Sequence, residues 1–135
     1  MQQRPKAILC LCHDSNVLQV RCLLLERFGY MVLPTRSVED AKEMAIRRCP
    51  DMFLMDSNHP GVDFEELATK VKEGCPNMLT VVLSPYYYGG RSGSNGTVDR
   101  FVANDNGPQV LIAQIQELFD ERQHGEDDRV ERRSV

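Results

Sequence analysis

The stretch Asp51-Met52-Phe53-Leu54-Met55-Asp56-Ser57-Asn58-His59-Pro60-Gly61 decides how the rest of the chain is read. An apolar run opened by Cys49-Pro50 and closed by a carboxylate, a polar cluster and Pro-Gly describes a short strand buried on both faces that stops abruptly in a loop. Asp56 is its last residue. Open parallel sheets handle ligands beyond the carboxyl ends of their central strands, so an acid at that end is placed for chemistry. The plainer reading is a turn that Asp56 caps through its own side chain.

Working outward, the same strand-then-helix pattern recurs on both sides. Ala7 to Cys12 is an apolar run of strand length, and His13-Asp14-Ser15-Asn16 supplies loop and helix-cap residues. Val17, Val20, Leu24 and Phe28 follow at helical spacing, and Gly29 stops that helix. Tyr30 to Leu33 reads as a second strand ended by Pro34. Ser37 is the expected N-cap of a helix with Val38, Ala41 and Ala45 on one face. Beyond the central strand, Asp63 is the expected cap of a helix buried through Phe64, Leu67, Ala68 and Val71.

Leu79 to Ser84 is a fourth strand and Arg100 to Ala103 a short fifth. Between them, Pro85 to Gly96 has no helical periodicity and too much Gly and Ser to hold a helix, so a loop is expected there; Tyr86, Tyr87 and Tyr88 make it a candidate contact surface or lid. Pro108 opens a last helix running through Leu111, Ile115 and Leu118 to about Arg122. The charged stretch from Gln123 onward reads as a disordered tail. The expected organisation is one domain over 6–122 and a tail over 123–135. Alternating strands and helices imply an α/β, flavodoxin-like, doubly wound five-stranded parallel sheet of order 2-1-3-4-5, with the fourth helix shortened or replaced by a loop. That order brings Cys12, His13, Asp14, Asp56, Ser84 and Asn104 to one edge.

At 135 residues the chain is long enough for a single core, and a net charge of −4 with its basic residues in scattered pairs argues against a nucleic-acid partner. No apolar run reaches the ~20 residues of a membrane span, so a soluble, cytoplasmic protein is expected. Five cysteines, several of them within apolar runs, argue against a disulfide framework. Cys10-Leu11-Cys12-His13 is a conceivable soft-metal or redox site, but no second Cys/His pair stands at ligand spacing.

From about Lys6 to Phe119 the chain resembles the receiver domain of two-component response regulators, most closely in DMFLMDSNHPGVDF. The resemblance implies that Asp56 stands at the phosphoacceptor position, Ser84 at the switch hydroxyl, Phe101 at the switch aromatic, and Asn58 where a backbone carbonyl helps hold Mg²⁺. It also implies a histidine kinase or another signalling protein as partner. The departures are specific. The family's acidic pair falls on Cys12 and His13, with Asp14 one place late, and its lysine falls on Asn104.

Mg²⁺ wants hard oxygen ligands, and neither thiol nor imidazole substitutes well, so binding through Asp14, Asp56 and Asn58 is expected to be weak or absent. Phosphoryl transfer relies on cations around the equatorial oxygens, which makes phosphorylation slow or absent in turn. His13 is a candidate replacement counter-ion for Asp56; the simpler reading is a polar helix-entry residue. The expected function is a stand-alone receiver-like module of phosphorelay signalling, with a degraded pocket, acting through protein–protein contact. At most, accepting and losing its own phosphoryl group is the enzymatic activity expected. The alternative is a working Mg²⁺-dependent phosphoacceptor with Asp14 swung in as ligand, and a remoter one a Cys12-based redox or metal protein. A homodimer is compatible with the sequence.

Overall fold

A computed structural model describes residues 4–84, 97–103 and 107–133, with side chains through residue 123. The first stretch alternates β1 (Ala7–Leu11), α1 (Ser15–Arg27), β2 (Met31–Thr35), α2 (Val38–Arg48), β3 (Met52–Asp56), α3 (Phe64–Gly74) and β4 (Leu79–Ser84). β5 (Arg100–Ala103) and α4 (Pro108–Arg133) follow. The strands form one parallel sheet of order β2-β1-β3-β4-β5, the order expected from the alternation. No helix lies between β4 and β5 among the described residues, and Pro85 to Gly96, including the three tyrosines, lies outside them. Backbone contacts divide the chain into two units, Met1–Asn104 and Asp105–Val135.

The caps follow the side chains that can satisfy helix N-terminal N–H groups. Ser37 accepts from Asp40 N at the start of α2, and Asp63 from Glu66 N at the start of α3. Leu9, Leu11, Phe53, Met55 and Val82 on one face of the sheet pack with Ala41 and Ala45 of α2 and Leu67, Ala68 and Val71 of α3. Side chains alternate along a strand, so Ile8, Cys10, Met52, Leu54 and Asp56 point to the other face. That is the side on which Leu18, Arg21 and Leu25 of α1 are buried.

Several expectations need correction. Val17 and Val20 are exposed, Leu24 is only partly buried and Phe28 lies at the surface: α1 turns the register Leu18-Arg21-Leu25 inward instead. Pro34 does not end β2 but sits inside it, opposite Cys10, which an edge strand tolerates because the missing N–H faces away from the ladder. Cys49 and Cys75 form a disulfide, their Cα atoms 5.6 Å apart, where the odd cysteine count and apolar settings argue against a disulfide framework. They cap the C-termini of α2 and α3, two neighbouring helices, which brings them together from 26 residues apart in sequence. The helical backbone of α4 continues to Arg133 instead of stopping near Arg122, since Glu, Arg and Gln are good helix formers even without apolar partners.

The start of β5 is pinned by Asp99, whose Oδ2 accepts from Thr80 N at 2.8 Å and pairs with Lys72 Nζ at 2.7 Å. No described helix is long and apolar enough to cross a membrane.

Candidate functional site

β3 is buried along its whole length, and its last residue, Asp56, remains 6% exposed at the carboxyl edge of the sheet. Asp56 is in register with Leu83 of β4, so fully buried Ser84 lies one step beyond it on the adjacent strand and pairs with Ala103 of β5. The chain leaves the edge at once, with Ser57 N donating to the Leu83 carbonyl at 2.8 Å.

The partner of Asp56 is a residue the sequence reading did not single out. Arg21, in the middle of α1 and 8% exposed, places Nη1 at 3.1 Å from Oδ1 and 3.2 Å from Oδ2, so one nitrogen straddles the carboxylate. Burial works against the guanidinium charge, but the Asp56 carboxylate, with Cys10 and Cys12 nearby, outweighs it and raises the Arg21 pKa above its ordinary value. The signal was present in Leu18-Arg21-Leu25: a helical stripe with a cation in its centre asks for an anion on the surface it covers.

Cys12 is buried beside the same carboxylate. Burial, then the Asp56 carboxylate beside it, push it up to about 11, while its thiol donates to the Asp14 carbonyl at 3.6 Å. Cys10 is pushed up to about 12, mainly by burial, with Arg21 pulling the other way. Thiols this reluctant to ionise do not favour a nucleophilic or soft-metal role.

The other expected site residues lie further out. Asp14 is the N-cap of α1, its Oδ1 accepting from Asn16 N at 2.8 Å and Val17 N at 3.1 Å. His13 is exposed: its carbonyl accepts from Arg36 Nε at 2.9 Å and its ring meets that of His59 edge-on at 5.4 Å. The counter-ion considered for His13 is therefore supplied by Arg21 from the helix instead. Asn58 is exposed in the loop after β3. Phe101 is partly buried, edge-on to Phe64 at 5.7 Å, on the α2/α3 side of the sheet. Asn104 lies outside the described residues.

His59, also not anticipated, is buried and ties two edge loops together. Its Nε2 lies 2.7 Å from the Arg36 carbonyl and its Nδ1 2.9 Å from that of Pro60.

The sequence matches no protein-family model, and no curated protein matches it in sequence. Solved structures do match. A CheY-like receiver domain from Methanospirillum hungatei has a TM-score of 0.78 at 21% identity, over 90% of this chain and 99% of that one. The chemotaxis response regulator CheY4 of Vibrio cholerae has a TM-score of 0.76 at 16% identity, over 84% and 98%. The response regulator TrrA of Thermotoga maritima, in complex with Mg(2+)-BeF, has a TM-score of 0.74 at 19% identity, over 84% and 98%. TrrA in complex with the histidine kinase ThkA gives 0.73 at 19%, over 84% and 97%. The fold is that of a receiver domain.

A receiver fold raises the question of Mg²⁺, and the donor set here does not fit it. Among the described residues no group of three His, Cys, Asp or Glu side chains is arranged to hold a metal. Of the carboxylates near the edge, Asp14 is engaged in its helix cap and Asp56 with Arg21, while Cys12 offers a protonated thiol. A cation approaching Asp56 also approaches Arg21. At ~4 Å and an effective dielectric of 20 that repulsion is about 4 kcal/mol per unit of charge.

Proposed function

We propose that this chain is a receiver-like signalling module in which Arg21 takes the place of the metal and of the phosphate-pairing lysine, holding Asp56 in a standing ion pair. The observation that carries this reading is the contact of Arg21 Nη1 with both oxygens of a buried Asp56. Phosphoryl transfer to a carboxylate needs cations around the transferring group; here the positive charge beside Asp56 is one guanidinium that belongs to the protein and already neutralises the carboxylate.

Asn104, at the family's lysine position, carries no charge, which leaves the positive role to Arg21. Ser84 and Phe101 keep the places of the switch hydroxyl and aromatic, and in this reading they respond to whether Arg21 is seated on Asp56. The module is not an enzyme in the ordinary sense, and its output passes by protein–protein contact. A histidine kinase or another signalling protein is the class of partner, by analogy with TrrA.

The competing reading, Mg²⁺-dependent phosphorylation of Asp56 with Asp14 as a metal ligand, requires Asp14 to leave its cap, at about 1 kcal/mol. Titration with Mg²⁺ and beryllofluoride, read by fluorine NMR, separates the two. The expected result is no saturable adduct in wild type. An adduct that appears in wild type and vanishes in Asp56→Asn would overturn the proposal in favour of the phosphoacceptor.

A further inference from the structure

The Cys49–Cys75 bridge joins two helices that are already packed together. Ala41 and Ala45 of α2 share one buried cluster with Leu67, Ala68 and Val71 of α3, and Cys75 belongs to the same cluster. That packing holds the two Cα atoms 5.6 Å apart, so the sulfurs stay side by side when the bond is open. Groups kept in register by the rest of a fold meet at a high effective concentration, which favours closing the bond again.

The sulfurs are also placed for the reduced state. A disulfide has no proton to donate, whereas a thiol is a weak donor. Cys75 Sγ lies 3.2 Å from the Ala45 carbonyl, which also accepts from Cys49 N at 2.9 Å and has a lone pair for each. Cys49 Sγ lies 3.8 Å from the Ile46 carbonyl and 3.9 Å from that of Gly74, both in last turns, where a helix runs out of its own N–H donors. Each thiol released by reduction therefore meets an acceptor with no movement of the backbone. Access differs between the two: Cys49 is exposed, and Cys75 is 4% exposed. Exchange depends on which sulfur a thiolate can reach, so it goes through Cys49.

We propose that Cys49 and Cys75 form a reversible redox site that exchanges with small soluble thiols, Cys49 taking the incoming sulfur and Cys75 acting as the resolving thiol. In reduction a thiolate attacks Cys49 Sγ, the S–S bond breaks, and Cys75 leaves as a thiolate that takes a proton from water and donates to the Ala45 carbonyl. A second thiolate then attacks the external sulfur of the mixed disulfide and releases Cys49, which is protonated in turn. The protein gains two electrons and two protons, and two external thiols become one disulfide. Oxidation by a small disulfide runs the same steps backwards. The bridge encloses β3, Asp56 and α3, but the site stands whether or not Arg21 holds Asp56.

The test is exchange on the full, folded chain, followed by mass spectrometry of alkylated peptides while circular dichroism monitors the fold. In wild type, dithiothreitol is expected to open the bridge on the order of minutes to hours with the folded signal retained, and oxidised glutathione to close it again. Cys75→Ser, which lacks the resolving thiol, is expected to accumulate a glutathione adduct on Cys49. In Cys49→Ser the buried Cys75 is expected to take up glutathione at least about tenfold more slowly. A bridge that yields to dithiothreitol only at urea concentrations that unfold the chain would overturn the proposal and leave a bond with a structural role alone. So would loss of the folded signal on opening, a reduced chain that does not close again, or adducts that form equally fast on Cys49 and Cys75. The wild-type exchange gives its answer even where a variant fails to fold.

Discussion

Asp56 and Arg21 sit 35 residues apart in sequence and meet because a strand end and a helix face are brought to the same edge. The acid was legible: a polar residue closing a fully apolar run at the end of a central strand has few structural reasons to be there. Its partner was harder to pick out: Arg21 stands between Leu18 and Leu25, but a lone Arg in a helix rich in Val and Leu also reads as solvent-facing until the anion beneath it is known. The neighbouring thiols carry a consequence that can be measured. Cys10 is held at about 12 and Cys12 at about 11 in the folded protein, against an ordinary 9.0 in the unfolded chain. Above pH 9 the unfolded state sheds these protons first, so stability is unaffected below that pH and falls as pH rises from about 9 through about 11 and 12. Denaturation midpoints over that range should show the loss, and Cys10→Ala should show a shallower one. A mid-range reactivity of Cys12 toward iodoacetamide as fast as that of a free thiol would contradict the raised value.

At the level of elements, most of the fold was readable because period and punctuation agree: β4 and β5 lie where their apolar runs lie, and Ser37 and Asp63 cap the helices they precede. Helix α1 was misread for a physical reason. Seven of its residues are apolar, so two registers can supply a buried face, and periodicity alone does not choose between them. The register is decided by a tertiary contact, Arg21 with Asp56. Leu25→Ala should therefore cost about 3 kcal/mol by opening a cavity, while Leu23→Ala should change the stability of the protomer by less than about 0.5 kcal/mol. Urea denaturation of the two variants at low concentration reads this directly, and equal losses would put the register in doubt. β2 failed to end at Pro34 because the sheet places that strand at its edge, a fact about order that no local pattern contains.

Over the whole molecule, the Cys49–Cys75 bridge clamps α2 to α3 at their C-terminal ends, where the chain enters β3 and β4, at the edge of the sheet opposite the one that carries Asp56. Cys49 adopts a left-handed backbone, φ 43°, where glycine is the usual residue, and the bond to Cys75 gives a reason for a side chain there. Closing a loop of 26 residues is worth about 3.5 kcal/mol in the chain-entropy account. Cys75→Ser should lower stability by about 3 kcal/mol, and dithiothreitol should do the same to wild type but not to the variant. Global stability is also where the standing ion pair is most directly read, through a double-mutant cycle of Arg21→Met and Asp56→Ala followed by equilibrium denaturation. Each single change leaves a buried charge without its partner and should cost about 3 kcal/mol, and the double change should cost no more than either alone. Losses that instead add to within ~0.5 kcal/mol would show that Arg21 and Asp56 do not hold one another.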